Sequence, residues 1–292
     1  MLALLLFVLS SSSLFLIFRG LSPARQPLLV LMFNYFFCSL FSFMNVWMEG
    51  SLNLQGMASA QWLPYALALG AGYLLNFSLT QKTVREVGAS LASVATKLSL
   101  VLPFFFTLWV QKKEPGMLAI FGLLICLLSI VLCSYRKEDS INEKSGILIW
   151  MLLPAIFLGT GLTDVLTQWM NQNLVPAAQE PQMVFVVFSG AFLSAAILVL
   201  YRLGQGHISF RVADAWPGFW LGLPNFLSYK AILAALSAFQ HQGNLVFPLA
   251  NLGVIVCTTL VSAVWFRDRL HQLNYLGVLL ALIALTLFLI AG

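Results

Sequence analysis

The sequence predicts an all-α membrane protein with about ten transmembrane helices, arranged as two inverted five-helix repeats. Three observations indicate this fold class. Hydrophobic residues make up 60% of the chain and charged residues only 9%, whereas soluble domains keep about 25% of their residues charged. Ten apolar runs follow one another along the chain, and a charged linker divides them into two sets of five. This composition excludes a soluble fold.

Each run approaches the roughly 20 apolar residues that cross a hydrocarbon core of about 30 Å. The runs are continuously apolar rather than alternating, so they are predicted to be helices and not barrel strands. Charged, glycine or proline residues separate neighbouring runs. The predicted spans are residues 1–18, 28–47, 62–81, 88–111, 117–135, 146–170, 183–201, 216–238, 244–266 and 273–291.

The first run is predicted to be a permanent span, because it lacks the basic start and the small-residue cleavage pattern of a signal peptide. All eight tryptophans lie toward the ends of the runs, where an indole ring prefers the headgroup level of the bilayer. The connections are short, so no extramembrane catalytic domain is expected. The longest are about residues 48–61, 136–145, 171–182 and 202–215.

Cofactor and metal sites are not expected. The four cysteines are scattered singly through apolar runs, without metal-ligand spacing or a disulfide framework. No nucleotide-binding glycine loop or hydrolytic triad appears, so no catalytic residue is assigned and the protein is not expected to be an enzyme. The net charge of +5 reflects loop residues near lipid headgroups rather than a nucleic-acid site. The expected partners are a small-molecule substrate and membrane lipid.

The chain is predicted to consist of a first five-helix repeat at residues 1–135, a linker at 136–145 and a second repeat at 146–292. An odd number of spans in each repeat turns the second upside down relative to the first. Two stretches share one plan about 155 residues apart. In each, an apolar helix ends in a charged turn and a glycine opens the next span. The turns are Gln111-Lys112-Lys113-Glu114 before Gly122, and Phe266-Arg267-Asp268-Arg269 before Gly277.

This plan resembles the drug/metabolite transporter superfamily, in its ten-helix EamA-like family. The resemblance covers nearly the whole chain. It depends on the five-plus-five spans, the short turns, and the acidic residue followed eight or nine residues later by a helix glycine. The chain departs from the family in using Asp268 where glutamate is usual, and in placing Lys97 where small residues and proline are expected. The resemblance therefore implies a transporter but leaves the substrate class open.

Two arguments about orientation conflict. Cytoplasmic loops hold an excess of lysine and arginine, and the connections after odd-numbered spans carry eleven such residues against two after even-numbered spans. This difference predicts that both termini lie outside the cytoplasm, whereas the family resemblance implies that both lie inside. We follow the charge count, because the difference is large and extends over every connection. The predicted location is the cell (inner) membrane, which the chain crosses several times.

Charged side chains inside the spans mark the candidate functional site. A charge in the middle of a span costs about 2.5–3.5 kcal/mol on insertion scales, and Lys97, Asp164 and Lys230 meet this description. Polar residues recur beside them at helical spacing, and such stripes must face each other or water. The stripes are Tyr73, Asn76 and Thr80; Ser90, Ser93 and Lys97; Asp164, Gln168 and Asn171; Asn225 and Tyr229, with Lys230 one position round; and Asn244, Pro248 and Asn251.

One interpretation is a hydrated central cavity that binds a polar solute between the two halves. In the alternative, Lys97 and Asp164 form a buried ion pair that fixes helix packing, and the amides are interhelical contacts worth about 0.6 kcal/mol each. Lys230 could also reach a polar interface through its long stem. The predicted substrate-binding residues are Tyr73, Asn76, Lys97, Asp164, Gln168, Asn225, Tyr229, Lys230 and Asn251.

Two lysines against one aspartate leave an excess of positive charge, which favours a solute bearing a carboxylate or phosphate. Asp164 is the carboxylate deep in a span and therefore the candidate for proton coupling. Together with the resemblance, these residues predict a secondary active transporter that moves a small polar metabolite, such as an amino acid or another organic anion, by alternating access. The alternatives are an exporter of drug-like compounds, a membrane enzyme or lipid-handling protein, and a receptor or scaffold that binds without flux.

Overall fold

The structure, a computed structural model, describes residues 1–20, 25–86, 89–112, 114, 116–135, 146–265 and 271–291. These residues are almost entirely helical, and no strand occurs among them. Within them, seven helical stretches are long and apolar enough to cross a membrane, and two shorter helices are also apolar. The prediction of an all-α membrane protein is confirmed.

Twelve α-helices occur in the described chain, and each of the ten predicted spans coincides with one helix or, for the fourth span, with a consecutive pair. The remaining helix, α3, lies in the connection predicted at residues 48–61. The helices are α1 (Leu2–Gly20), α2 (Pro27–Met48), α3 (Leu54–Ala58), α4 (Leu63–Glu86), α5 (Ala89–Leu98), α6 (Val101–Gln111), α7 (Met117–Cys133), α8 (Gly146–Asn173), α9 (Glu180–Gly204), α10 (Ala215–Ala238), α11 (Gly243–Trp265) and α12 (Gln272–Ala291).

The fourth predicted span, residues 88–111, was expected to be one helix but consists of α5 and α6. Pro103 explains the break, because it has no backbone N–H to donate to the carbonyl of Ser99. That carbonyl instead accepts from the backbone N–H of Leu102 at 2.9 Å, and the carbonyl of Lys97 accepts from Leu100 at 3.3 Å. The tightened turn lies directly after Lys97.

Helices from the two halves of the chain pack against each other throughout the described structure. α7 packs against α12, α2 against both α9 and α10, α4 against both α8 and α9, and α1 against α10. Glycines permit the closest approaches: a Cβ at Gly70 of α4 would overlap the carbonyl oxygen of Val187 in α9, and a Cβ at Gly222 of α10 would lie 2.8 Å from the Phe37 Cβ of α2. Small residues at helix crossings are a common packing device in membranes.

The pairing of α7 with α12 involves the glycine of the second charged-turn motif. The Ser129 hydroxyl donates a 2.8 Å hydrogen bond to the carbonyl of Gly277, where a Cβ would lie 2.6 Å from the backbone nitrogen of Cys133. The side-chain amide of Asn274 donates to the carbonyls of Leu132, Cys133 and Tyr135, each at 3.0 Å. These carbonyls at the end of α7 have no partner within the helix, so Asn274 caps it.

Several predicted features lie outside the described residues: the linker at 136–145, the acidic Asp268 and its neighbours Arg267 and Arg269, and the side chain of Ser90. The division into two repeats joined by that linker therefore stays a prediction. Glu114 is described and is exposed between α6 and α7.

Candidate functional site

Two tyrosines from different halves of the chain meet at the centre of the candidate site. The rings of Tyr73 in α4 and Tyr229 in α10 pack edge to face, with centroids 5.9 Å apart. The Tyr73 hydroxyl lies 3.2 Å from the hydroxyl of Thr167 in α8. Three helices thus place hydroxyl groups next to one another inside the membrane region.

Lys97 joins this group through α11. Its ammonium donates a 3.2 Å hydrogen bond to the side-chain oxygen of Asn251. The charge of Lys97 also interacts with that of Asp164 in α8, and Asp164 interacts electrostatically with both tyrosines. Because Lys97 lies in the last turn of α5, the negative end of that helix also stabilises its positive charge.

Asn76 extends the group along α4. Its side-chain amide donates to the hydroxyl of Thr163 in α8 at 3.2 Å. The amide oxygen fits beside Gly159, where a Cβ would overlap it. Six of the nine predicted substrate-binding residues are therefore brought together, and we name them the central cluster: Tyr73, Asn76, Lys97, Asp164, Tyr229 and Asn251.

Lys230 lies elsewhere, although it directly follows Tyr229 in the sequence. Its ammonium donates to the side-chain oxygen of Asn45 in α2 at 2.6 Å and lies 3.7 Å from a carboxylate oxygen of Glu49. Its charge also interacts with that of Glu180 at the start of α9. Lys230 thus extends toward the helix ends, as its second interpretation proposed, and its neighbours are acidic.

Asn225 and Gln168 make contacts between helices away from the central cluster. Asn225 donates to the side-chain oxygen of Asn34 in α2 at 3.2 Å. Gln168 is fully buried, and its amide donates to the hydroxyl of Thr107 in α6 at 2.8 Å. Asn225 thus contacts α2, which carries none of the predicted polar stripes, whereas Gln168 contacts α6, which lies in the fourth predicted span.

A comparison with known protein families found a match in the first part of the chain. Residues 1–135, which contain α1 to α7, match the EamA-like transporter family. The resemblance predicted from the charged turns and glycines is confirmed, and the members of this family are membrane transporters.

Two further proteins resemble a larger part of the chain than residues 1–135. An uncharacterized protein of Haemophilus influenzae (strain ATCC 51907 / DSM 11121 / KW20 / Rd) is 28% identical over 235 residues, which is 78% of this chain and 76% of the relative. A protein of known crystal structure superposes with a TM-score of 0.76 at 15% identity, over 98% of this chain and 94% of its own. At this identity the likeness shows the fold alone.

The polar neighbours of the central cluster were missed in the sequence because their signal is weak. The hydroxyls of Thr163 and Thr167 each donate at 2.8 Å to a carbonyl of their own helix, at Thr160 and Thr163 respectively. Threonines that form such bonds are tolerated in any membrane helix, so their presence predicts little. A stronger signal for polar contacts was overlooked in α2. Asn34 and Asn45 lie eleven residues apart, which places them on one face of this helix.

Proposed function

We propose that this protein is a secondary transporter that moves a small polar metabolite by alternating access through the central cluster. The observation that supports the proposal best is the hydrogen bond between Lys97 and Asn251, next to the charge of Asp164. These residues come from three helices and both halves of the chain. Because an intramembrane charge is costly to insert, its position beside other polar groups supports a role in binding.

The charges of the central cluster favour a solute that carries both signs. The excess of positive charge predicted from two lysines does not occur there, because Lys230 lies beside Glu49 instead. Lys97 and Asp164 leave one positive and one negative group, which complement the carboxylate and the ammonium of an amino acid. Among the predicted solutes, an amino acid therefore fits better than an organic anion.

The break between α5 and α6 supports the alternating-access part of the proposal. Discontinuous helices at the substrate site are a recurring feature of transporters built from inverted repeats. Lys97 lies directly before the break and donates across to the second half of the chain. We propose that the two halves are inverted repeats, and that rocking one against the other breaks and remakes this contact.

Counterflow in liposomes tests the transport proposal. The purified protein is reconstituted into vesicles loaded with unlabelled amino acid, and entry of the labelled compound is followed, with a panel of organic anions and cations for comparison. We expect entry without chemical change. Lys97→Met should lower the rate at least tenfold, whereas Lys112→Met, which makes the same change at an exposed lysine after α6, should not alter it.

Three outcomes would contradict the proposal. A chemically altered product would indicate a membrane enzyme. Ligand binding without entry into the vesicles would indicate a receptor. Equal rates for the two lysine variants, with transport intact, would show that the solute does not pass through the central cluster.

A further inference from the structure

One end of the helix bundle can be defined from the order of the crossings. α3 lies between α2 and α4, so it marks one face of the membrane, which we name the α3 face. With consecutive crossings, α6, α8 and α10 end at this face and α11 begins there. Asp164 of the central cluster and Gln168 are four residues apart in α8, so Gln168 lies about 6 Å nearer to the α3 face.

Gln168 connects three elements at that level. Its amide nitrogen donates to the Thr107 hydroxyl of α6 at 2.8 Å and lies 3.4 Å from the backbone carbonyl of His241, in the turn between α10 and α11. The side chain of Gln111 donates to the same carbonyl at 3.4 Å. Gly243 at the start of α11 packs directly on Gln168, because a Cβ there would overlap its amide oxygen. α6, α8 and α11 are thus held together between the level of the central cluster and the α3 face.

This junction contains buried acceptors whose hydrogen bonds are not satisfied. Gln168 Oε1 and His241 Nδ1 belong to the junction itself, and Gln172 Oε1 and Asn244 Oδ1 lie next to it in the sequences of α8 and α11. Within the described residues, none of these four buried atoms has a hydrogen-bond partner. Burial also lowers the pKa of His241 below its ordinary value, so its ring is neutral near pH 7. A buried acceptor without a donor raises the free energy of the arrangement that holds it. Separation of the three elements would let water reach these atoms and would remove this penalty.

We propose that Gln168, with Thr107 and the carbonyl of His241, forms a closed gate between the central cluster and the α3 face. The inference rests on the proposed transport function and adds to it the element that controls access. It changes the role of Gln168 from a residue that binds the solute to one that holds the path closed. The unsatisfied acceptors make the closed arrangement easy to open, as a gate requires.

Thiol labelling tests the gate without any substrate. Asn76→Cys is placed in a background whose four native cysteines are replaced by alanine, and a charged, membrane-impermeant maleimide is added from the α3 face. The exposed position Gln55 in α3, as Gln55→Cys, identifies the vesicles that present this face. We expect slow labelling of Asn76→Cys, and labelling at least tenfold faster when Gln168→Leu or Thr107→Val is added. Because both variants break the same hydrogen bond, the double variant should label no faster than the faster single variant.

Gln172→Leu is the matched control, because Gln172 is one helical turn away on the same face of α8 and its amide oxygen is unsatisfied. It should leave labelling unchanged or slow it. Unchanged labelling in Gln168→Leu, with the same thermal midpoint as the parent, would overturn the gate. Loss of counterflow with unchanged labelling would also overturn the gate and would indicate that Gln168 binds the solute. Failure to detect transport by the wild type would contradict the proposed function alone, since labelling would still report the gate.

Discussion

At the scale of single residues, the two intramembrane lysines show what spacing along a helix can predict. Lys97 was predicted on a polar face and Lys230 one position round from one, but spacing along a helix does not give the depth that a long side chain reaches. Lys97 stays between helices beside Asn251, whereas the stem of Lys230 carries its ammonium to Asn45 and Glu49. The partners could not be predicted either, because they come from helices that are distant in sequence and the spacing contains no information on helix neighbours.

Asp164 gives a prediction about energy coupling. Asp164→Asn keeps the size of the side chain but removes its ability to release a proton. In liposomes with an imposed pH gradient, we expect concentrative uptake to be lost. Counterflow, which needs no net proton movement, should continue at a lower rate, because the ammonium of the solute loses its charged partner. Unchanged pH-driven accumulation in Asp164→Asn would remove this residue from the coupling mechanism.

At the scale of helices, the break in the fourth span is the feature that the hydrophobicity of the sequence did not predict. The run at residues 88–111 is continuously apolar, so its length predicted a single span. Pro103 lies within this run, but a proline in a membrane helix produces either a gentle kink or a break, and the neighbouring helices decide between them. The presence of the helix was therefore predictable, and its interruption next to Lys97 was not.

Replacing this proline tests the importance of the break. Pro103→Ala supplies the N–H that an α-helix would place opposite the Ser99 carbonyl, which now accepts from Leu102 instead, so α5 and α6 should join into a more regular helix. We expect the thermal midpoint in detergent to stay the same or rise, while the counterflow rate falls several-fold. Pro64→Ala is the control, because Pro64 lies in the first turn of α4, where no N–H is needed. A variant Pro103→Ala with normal transport would show that the break is only a packing feature.

The close contact of α4 with α9 gives a second prediction at this scale. Gly70→Ala places a methyl group where it would overlap the Val187 carbonyl, and overpacking of this kind destabilises proteins by about 1–3 kcal/mol. We expect a lower thermal midpoint for Gly70→Ala. Gly204→Ala at the end of α9 is the matched control, since a Cβ there would meet nothing within 4 Å. Equal midpoints for the two variants would contradict the packing that the structure describes.

At the scale of the whole molecule, the orientation in the membrane is the prediction that depends on charge alone. Connections between spans on the side opposite the α3 face contain eleven lysines and arginines, whereas those on the α3 face contain two. We therefore expect the α3 face, with both termini, to lie outside the cytoplasm. An alkaline phosphatase fused to the C-terminus should be active and a green fluorescent protein there should be dark. The opposite pattern would favour the orientation that the family resemblance implies.

The presence and approximate ends of the helices could be predicted because lipid imposes one solution. Every backbone group must be paired inside its own helix, so a long apolar run has no other stable form. The arrangement of the helices carries no comparable constraint in the sequence. That α2 packs between α9 and α10 follows from shape, at positions such as Gly222, and a glycine in the sequence does not say which helix approaches it.

The two halves of the chain depend on each other for packing. α2 packs against α9 and α10, α4 against α9, and α7 against α12. Neither half would bury the glycines of its helix crossings alone. If the chain is divided into two fragments, we therefore expect the fragments to associate and to stabilise each other. Genes encoding residues 1–140 and 141–292, expressed together, should yield a stable complex, and either fragment by itself should be degraded. The two halves of the chain would then associate as the two subunits of a stable heterodimer do.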